Sequence, residues 1–211
     1  MKNLYLAGAG GLGREVLNII QDIHSVQGLR WNIKGFLDDS ECPLRGRECD
    51  YSVVGTIKEF MPSPDDVVVV CIGEPTSRRG LVELLHARGV TFASVMANSV
   101  YLGRHNHIGE GTIAYGGFGM TVNVSVGNFC VLDNCVLGHD VTIGDYCTIS
   151  GGCRLLGGVT LGNGVFLGAS VNVAPGVHIG DNAYVGIGSV VVKDVKAGEK
   201  VFGNPAREIG I

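Results

Sequence analysis

The chain has 211 residues and a formal net charge of −4, a length that allows one large or two small domains. Because lysine and arginine form no cluster, we expect neither nucleic acid nor an anionic membrane surface as a partner. The longest apolar run, 67–72, is too short to span a bilayer and the first residues lack a secretory signal, so we expect a cytoplasmic protein.

The first 96 residues are predicted to fold as a small Rossmann-like βαβ domain. Apolar runs predict strands, and apolar residues at helical spacing predict helices. In chain order these are a strand at 4–7, a helix at 15–23, a strand at 33–37, a buried strand at 67–72, a helix at 79–88 and a strand at 90–95. A different pattern begins after residue 96, so we expect domains at 1–96 and 97–211.

A glycine-rich loop follows the first predicted strand. Gly8, Gly10 and Gly13 match GxGxxG after a strand and at the start of a helix, which is the context in which this motif binds phosphates. Asp38 and Asp39 end the second strand, where an acidic residue can bind a ribose. The domain is too short for a dinucleotide site, so one nucleotide phosphate group at the helix N-terminus fits better. Alternatively, the glycines only permit a tight turn and close helix packing.

From Tyr101 onward, a pattern of period six repeats with a slip of one residue just before His139. A second, mostly small position lies two residues before each aliphatic anchor, which places both side chains on one face of a short strand. The anchors are Leu102, Ile108, Val126 and Leu132, then Leu137, Ile143, Ile149, Leu155, Leu161, Leu167, Val173, Ile179, Val185 and Val191. This pattern predicts a solenoid of parallel strands; a glycine- and valine-rich β-sandwich would not keep a fixed period for so long.

The seven cysteines are predicted to be structural. Four of them, Cys130, Cys135, Cys147 and Cys153, occupy the small position of the repeat and would act as compact apolar fillers. The other three form no CxxC pair, so the ligand spacing of a zinc site is absent. The remaining histidines are not spaced to form a metal site with His139, and we expect no metal.

Seven segments carry a resemblance to a known family: residues 7–15, 35–39, 71–73, 138–140, 143–146, 185–191 and 203–206. The repeat resembles that of the hexapeptide-repeat acyltransferases, which fold as a left-handed parallel β-helix with three hexads per coil. The whole chain is similar to the sugar acetyltransferases of the sialic-acid O-acetyltransferase and bacillosamine-pathway UDP-amino-sugar N-acetyltransferase type. The resemblance implies a homotrimer, with acetyl-CoA as co-substrate in the groove between neighbouring β-helices.

The resemblance also implies roles for individual residues. The first domain would hold the nucleotide of a nucleotide-sugar acceptor through Gly8, Gly10, Gly11, Gly13, Asp38, Asp39 and Gly73. Gly186 and Gly188 would lie at the cofactor, and the backbone N–H of Gly157 would stabilise the oxyanion. Where relatives carry a second histidine near the cofactor, this chain has Thr148, whose side chain we expect to point outward with room for a larger ring.

His139 and Asp140 reproduce the catalytic histidine of the family and the acidic residue after it. Acetyl transfer requires removal of a proton from the attacking amine or hydroxyl, and a neutral imidazole is suited to this near pH 7. The neighbouring carboxylate can orient the ring and stabilise the imidazolium. The slip before Leu137 is expected to push His139 towards the groove. The relatives' Asn-Thr pair before this histidine is replaced by Asp133-Asn134, in a segment one residue shorter that faces the acceptor.

Three functions remain open from the sequence. The first is N-acetylation of a nucleotide-linked amino sugar of the UDP-4-amino-sugar type, as part of glycan biosynthesis. The second is O-acetylation of a sialic acid or another sugar hydroxyl, and the third is a sugar-binding scaffold without catalysis. The glycine loop with Asp38 and Asp39 favours a nucleotide-linked acceptor, and the intact His139-Asp140 pair argues against a scaffold.

Overall fold

The computed structural model describes residues 1–210; Ile211, the last residue of the predicted second domain, lies outside the described residues. The N-terminal part is a parallel five-stranded sheet in the order β3-β2-β1-β4-β5 with two helices. Its elements are β1 (Asn3–Ala7), α1 (Gly11–Gln27), β2 (Asn32–Leu37), β3 (Val53–Gly55), β4 (Asp66–Val70), α2 (Pro75–His86) and β5 (Thr91–Phe92). The predicted Rossmann-like domain is confirmed.

Two details of this domain differ from the prediction. The three-residue strand β3 was not predicted, because so short a segment shows no periodicity. The strand predicted at 90–95 is two strands: β5 completes the Rossmann-like sheet, and Val95–Met96, which becomes β6, pairs with the solenoid instead. The chain therefore passes from one sheet to the other within three residues of Phe92.

The rest of the chain is a parallel β-helix, as predicted, in which strands one coil apart pair in parallel; the last strand, Arg207–Glu208, instead pairs antiparallel with Lys200–Phe202. After β6 come β7 (Tyr101–Leu102), β8 (His107–Ile108), β9 (Ile113–Ala114), β10 (Gly119–Met120), β11 (Ser125–Val126), β12 (Val131–Leu132), β13 (Val136–Leu137), β14 (Thr142–Ile143), β15 (Thr148–Ile149), β16 (Arg154–Leu155), β17 (Thr160–Leu161), β18 (Phe166–Leu167), β19 (Asn172–Val173), β20 (His178–Ile179), β21 (Tyr184–Val185), β22 (Val190–Val191), β23 (Lys200–Phe202) and β24 (Arg207–Glu208). Within residues 1–210, neither helix is long and apolar enough to cross a lipid bilayer.

The strands form three sheets. Sheet I contains β6, β9, β12, β15, β18, β21, β23 and β24; sheet II contains β7, β10, β13, β16, β19 and β22; and sheet III contains β8, β11, β14, β17 and β20. The anchors from Val126 onward and the small positions fill the interior between the sheets, whereas Leu102 and Ile108 in the first coil are exposed or half-buried. All four cysteines at small positions are fully buried and free, so the prediction that they pack in the interior is confirmed.

The register slip shortens one corner of the coil. Gly119 pairs with Val136, 17 positions later, whereas Val136 pairs with Arg154, 18 positions later. The missing residue lies between β12 and β13, where Asn134 takes a positive φ of 34°. Because the pairing continues without a bulge, the slip changes the corner and leaves the strands in register.

The first domain packs against sheet I. Ile113 and Val131, which point out of the solenoid, join the apolar core of the Rossmann-like domain. At one edge of this seam, Phe129 stacks on Tyr146 with ring centroids 5.5 Å apart and meets Phe92 edge-on at 5.0 Å. The first domain therefore covers sheet I at β9, β12 and β15, whereas Tyr184 and Phe202 further along this sheet are exposed. The corner between sheets II and III lies on the opposite side of the solenoid.

Candidate active site

His139 and Asp140 form the turn between β13 and β14, at the corner between sheets II and III. Asp140 takes a left-handed φ of 60°, which turns the chain. His139 Nδ1 lies 2.8 Å from Asp140 Oδ2, and the two side chains are 66% and 57% exposed. The pair therefore stands on the surface of the solenoid, where a substrate can reach it.

Gly157 occupies the same corner one coil later and lies directly under the imidazole. A Cβ at Gly157 would overlap the His139 ring, so only glycine lets the ring take this position. The two corners are joined by a hydrogen bond from the Gly158 N–H to the His139 carbonyl, 2.9 Å long. Within residues 1–210, the Gly157 N–H donates no hydrogen bond to a protein acceptor.

Asn123 completes this corner. Its Nδ2 donates to Asp140 Oδ1 over 3.3 Å, from the corner one coil before. The hydrogen bond from His139, and then that from Asn123, hold the pKa of Asp140 below its ordinary value. An ionised Asp140 that accepts from Nδ1–H leaves Nε2 as the basic nitrogen of His139. No pattern in the sequence pointed to Asn123, because its contact with Asp140 depends on the 17-residue coil.

The glycines of the predicted nucleotide site divide into two groups. Gly8 has a φ of 107°, and a Cβ there would lie 2.8 Å from a backbone carbonyl. A Cβ at Gly13 would overlap the carbonyl of Gly8, so Gly13 is required by the packing of α1 on this loop, and Gly8 by its own positive φ and the nearby Cys71 carbonyl. In contrast, a Cβ at Gly10, Gly11 or Gly73 would meet no atom within 4 Å. These three face open space and are the ones that could contact a ligand.

Asp38 and Asp39 differ in how their carboxylates are used. Asp38 Oδ2 accepts from the Ala9 N–H at 2.7 Å, and its Oδ1 accepts from the Ser40 N–H at 2.8 Å. Burial opposes ionisation of Asp38, but these N–H donors outweigh it and lower its pKa. Both oxygens of Asp38 thus hold the loops together. Within residues 1–210, the Asp39 carboxylate accepts one hydrogen bond, from the Lys58 N–H to Oδ1 at 3.1 Å, which leaves Asp39 as the better candidate for a ligand.

Two adjoining clefts separate the glycine loop from sheet I. The larger has a volume of about 540 Å³ and includes Gly11, and the smaller, of about 150 Å³, includes Gly73. Both are lined by Glu15, Tyr115 and Asp133, and the Tyr115 hydroxyl donates to Glu15 Oε2 at 2.8 Å. Burial, and then the charge of Glu15, raise the pKa of Asp133. The clefts are thus lined both by the first domain and by Asp133, which belongs to the segment before His139 that differs from the relatives.

Thr148 differs from the sequence prediction. Its side chain does point out of the solenoid, but it lies on sheet I and is only 6% exposed. Its hydroxyl donates to the Gly73 carbonyl at 2.6 Å and accepts from Arg78 Nη2 at 2.9 Å. The outward direction is as expected, but the expected room for a larger ring is wrong, because the first domain covers this face.

Gly186 and Gly188 follow β21, at the corner between sheets I and II. A Cβ at Gly186 would overlap the ring of Phe202, so this glycine is required by packing. Gly188 has a φ of 70° and faces open space. Within one chain these glycines and the glycine loop of the first domain lie away from the corner that carries His139. The structure brings together His139, Asp140 and Gly157, and leaves the other predicted site residues elsewhere.

Comparison with protein families agrees with this architecture. Residues 3–85 match the family described as PglD N-terminal domain, and residues 123–157 match the family described as bacterial transferase hexapeptide (six repeats). The second match lies within the solenoid and is to a hexapeptide-repeat transferase family. A segment like the PglD N-terminal domain thus precedes a hexapeptide repeat in this chain, and the predicted resemblance is confirmed.

Solved structures share the whole fold. Perosamine N-acetyltransferase from Caulobacter crescentus, a histidine mutant in complex with CoA and GDP-perosamine, is 22% identical with a TM-score of 0.88, over 100% of this chain and 98% of that one. WeeI from Acinetobacter baumannii AYE is 27% identical with a TM-score of 0.87, over 99% and 100%. The acetyltransferase domain of PglB from Neisseria gonorrhoeae FA1090 is 22% identical with a TM-score of 0.87, over 99% and 100%. A comparison with curated protein sequences gave no match.

Proposed function

We propose that this protein transfers the acetyl group of acetyl-CoA to the amino group of a nucleotide-linked amino sugar. The observation that carries the proposal is the exposed His139, paired with Asp140 and held against Gly157 on a hexapeptide-repeat solenoid. Similar structures support the choice of substrates, since one was solved with CoA and GDP-perosamine and another, the PglB domain, with acetyl-CoA.

The proposed reaction uses His139 as general base. The amine nitrogen attacks the thioester carbonyl and forms a C–N bond, while Nε2 of His139 accepts the amine proton. Asp140 stabilises the imidazolium, and the Gly157 N–H donates to the oxyanion of the tetrahedral intermediate. The intermediate then collapses with cleavage of the C–S bond, and the CoA thiolate takes the proton from the imidazolium. Acetyl amide and free CoA are the products.

We assign acceptor binding to residues 1–96 and acetyl transfer to residues 97–211. The diphosphate would accept hydrogen bonds from the N–H groups at the start of α1, around Gly10 and Gly11, where the helix dipole favours an anion. Asp39 would bind the ribose or the base, and Gly73 would form the opposite wall of the cleft. Gly8, Gly13 and Asp38 would support this site by shaping its loops.

The substrate assignment is tested by a panel of acceptors with release of CoA as the readout. UDP-, GDP- and CDP-linked amino sugars are compared with sialic acid and with nucleotide sugars that carry only hydroxyl groups. Thiol titration measures CoA release for each. Turnover confined to an amino sugar supports the proposal, whereas turnover of the hydroxyl acceptors alone favours the O-acetyltransferase alternative. Absence of turnover with every acceptor contradicts both.

Substitution of Gly11 by valine is expected to raise KM for the nucleotide sugar about tenfold or more, with KM for acetyl-CoA within twofold of wild type. The new side chain enters open space above the start of α1 and would block a phosphate there. Steady-state kinetics with each substrate varied in turn measures the effect. Gly13→Val is the contrasting variant, because its side chain would overlap the Gly8 carbonyl and lower the melting temperature. Equal weakening of both substrates in Gly11→Val would speak against this site.

We further propose a homotrimer in which neighbouring chains share the active site. Within one chain, the His139 corner lies opposite sheet I, whereas the glycine loop and its clefts lie beside sheet I. A second copy is therefore needed to bring an acceptor on the first domain to a histidine. Light scattering at the assay concentration is expected to give three times the mass of the chain. A monomer with full specific activity would refute a shared site.

A further inference from the structure

One buried arginine forms hydrogen bonds across the seam, the interface between the first domain and sheet I. Arg78, on α2, is 1% exposed, and its guanidinium donates to acceptors in both domains. The acceptors are the carbonyls of Ile72, Gly73, Phe129, Tyr146 and Cys147 and the hydroxyl of Thr148, at 2.6 to 3.1 Å. A planar fork of N–H groups suits this set of acceptors, and a lysine could not reach them all.

The charge of Arg78 has no carboxylate partner. Across residues 1–210, the ion pair found is that of His139 with Asp140, and Arg78 instead bonds neutral oxygens. Burial lowers the pKa of Arg78 to about 10, so the side chain remains cationic at neutral pH. A positive charge is thus kept in the seam, directly behind the cleft that Gly73 lines.

The Gly73 carbonyl is where the two domains meet at this cleft. It accepts from Arg78 Nη1 at 3.0 Å and from Thr148 Oγ1 at 2.6 Å, so one donor comes from each domain. With both lone pairs directed into the seam, the α-carbon of Gly73 is turned towards open space in the cleft. The position of Gly73, which forms one wall of the cleft, therefore depends on Thr148 of the solenoid, 75 positions further along the chain.

We propose that Arg78 and Thr148 are positioning residues for the acceptor: they hold Gly73 at the distance from the glycine loop that a nucleotide sugar requires. The inference rests on the proposed function. Arg78 is fully buried, and Thr148 lines the smaller cleft beside Gly73 but is only 6% exposed. Neither makes a hydrogen bond to the acceptor in this scheme, because the Thr148 hydroxyl is already bonded to Gly73 and Arg78. Their effect is therefore expected on binding of the acceptor and not on the chemical step.

The test uses Thr148→Val, which removes the hydroxyl and keeps the shape of the side chain. We expect KM for the nucleotide amino sugar to rise about tenfold, equivalent to about 1.4 kcal/mol, with kcat and KM for acetyl-CoA within twofold of wild type. Thr148→Ser restores the hydroxyl and should restore KM. Thr160→Val, the same change on sheet III, is the matched control and should leave both KM values unchanged.

A purely structural role of Thr148 would give a different result. It would lower the melting temperature of Thr148→Val and leave the ratio of the two KM values unchanged, which would overturn the inference. Calorimetry with UDP and GDP separates this outcome from failure of the proposed function. If wild type binds a nucleotide but transfers no acetyl group, the proposed reaction fails, and weaker binding by Thr148→Val still supports the inference. Equal binding by wild type and Thr148→Val, or no binding by either, overturns it.

Discussion

Replacement of His139 by alanine is expected to lower kcat by about 10²–10⁴, the usual contribution of a general base. The side chain is 66% exposed and its hydrogen bond is to Asp140 on the same surface turn, so its removal takes no apolar contact from the interior. The melting temperature should therefore stay close to that of wild type. Steady-state release of CoA, measured with saturating acetyl-CoA and the preferred acceptor, gives kcat.

His178→Ala is the matched control for this experiment. His178 is an exposed histidine of the same solenoid, on β20, and its substitution should leave kcat unchanged. If folded His139→Ala turned over at a rate near that of wild type, His139 would have no part in the mechanism. If both variants lost activity together with their fold, the comparison of their melting temperatures would reveal it.

Gly157→Ala is expected to lower kcat about 100-fold. The added methyl group would overlap the imidazole of His139, so the ring has to move by about 1 Å, and a misplacement of that size typically costs about this factor. Because Gly157 does not have a positive φ, alanine is compatible with its backbone, and the fold should be retained. The same assay of CoA release measures kcat, and circular dichroism checks the fold.

Gly119→Ala provides the control on the same solenoid. A Cβ at Gly119 would meet Tyr101 at 3.7 Å, an ordinary contact, so this variant should keep both fold and activity. A Gly157→Ala enzyme as active as Gly119→Ala would show that catalysis does not need the imidazole in the position that the structure gives it.

Local patterns in the sequence carry the information for both domains. Anchors six residues apart can pack only if each hexad forms a strand and a turn, because each coil buries its anchors against the next. The apolar run at 67–72 and the glycines between 8 and 13 likewise predict a buried parallel strand and a turn into a helix. In each case the residues that decide the element are neighbours in the chain, so their spacing alone is sufficient.

The His139 corner was also predictable, but its details were not. The slip of one residue is visible in the spacing of Leu132 and Leu137, and it marks the corner between β12 and β13, just before the strand that leads into the His139 turn. What the slip does to the strands depends on how neighbouring coils pair. The contact of Asn123 with Asp140 follows from that pairing and from no feature of its own segment.

The sequence by itself thus determined the two folds, their order and the histidine pair, since each depends on short-range spacing. Tertiary structure alone decided which outward face of the solenoid the first domain covers. That choice buries Thr148, directs Arg78 to acceptors up to 70 positions away, and leaves His139 on the opposite side from the glycine loop. Strand alternation fixes only whether a side chain points in or out, because what covers an outward side chain depends on packing between segments distant in sequence.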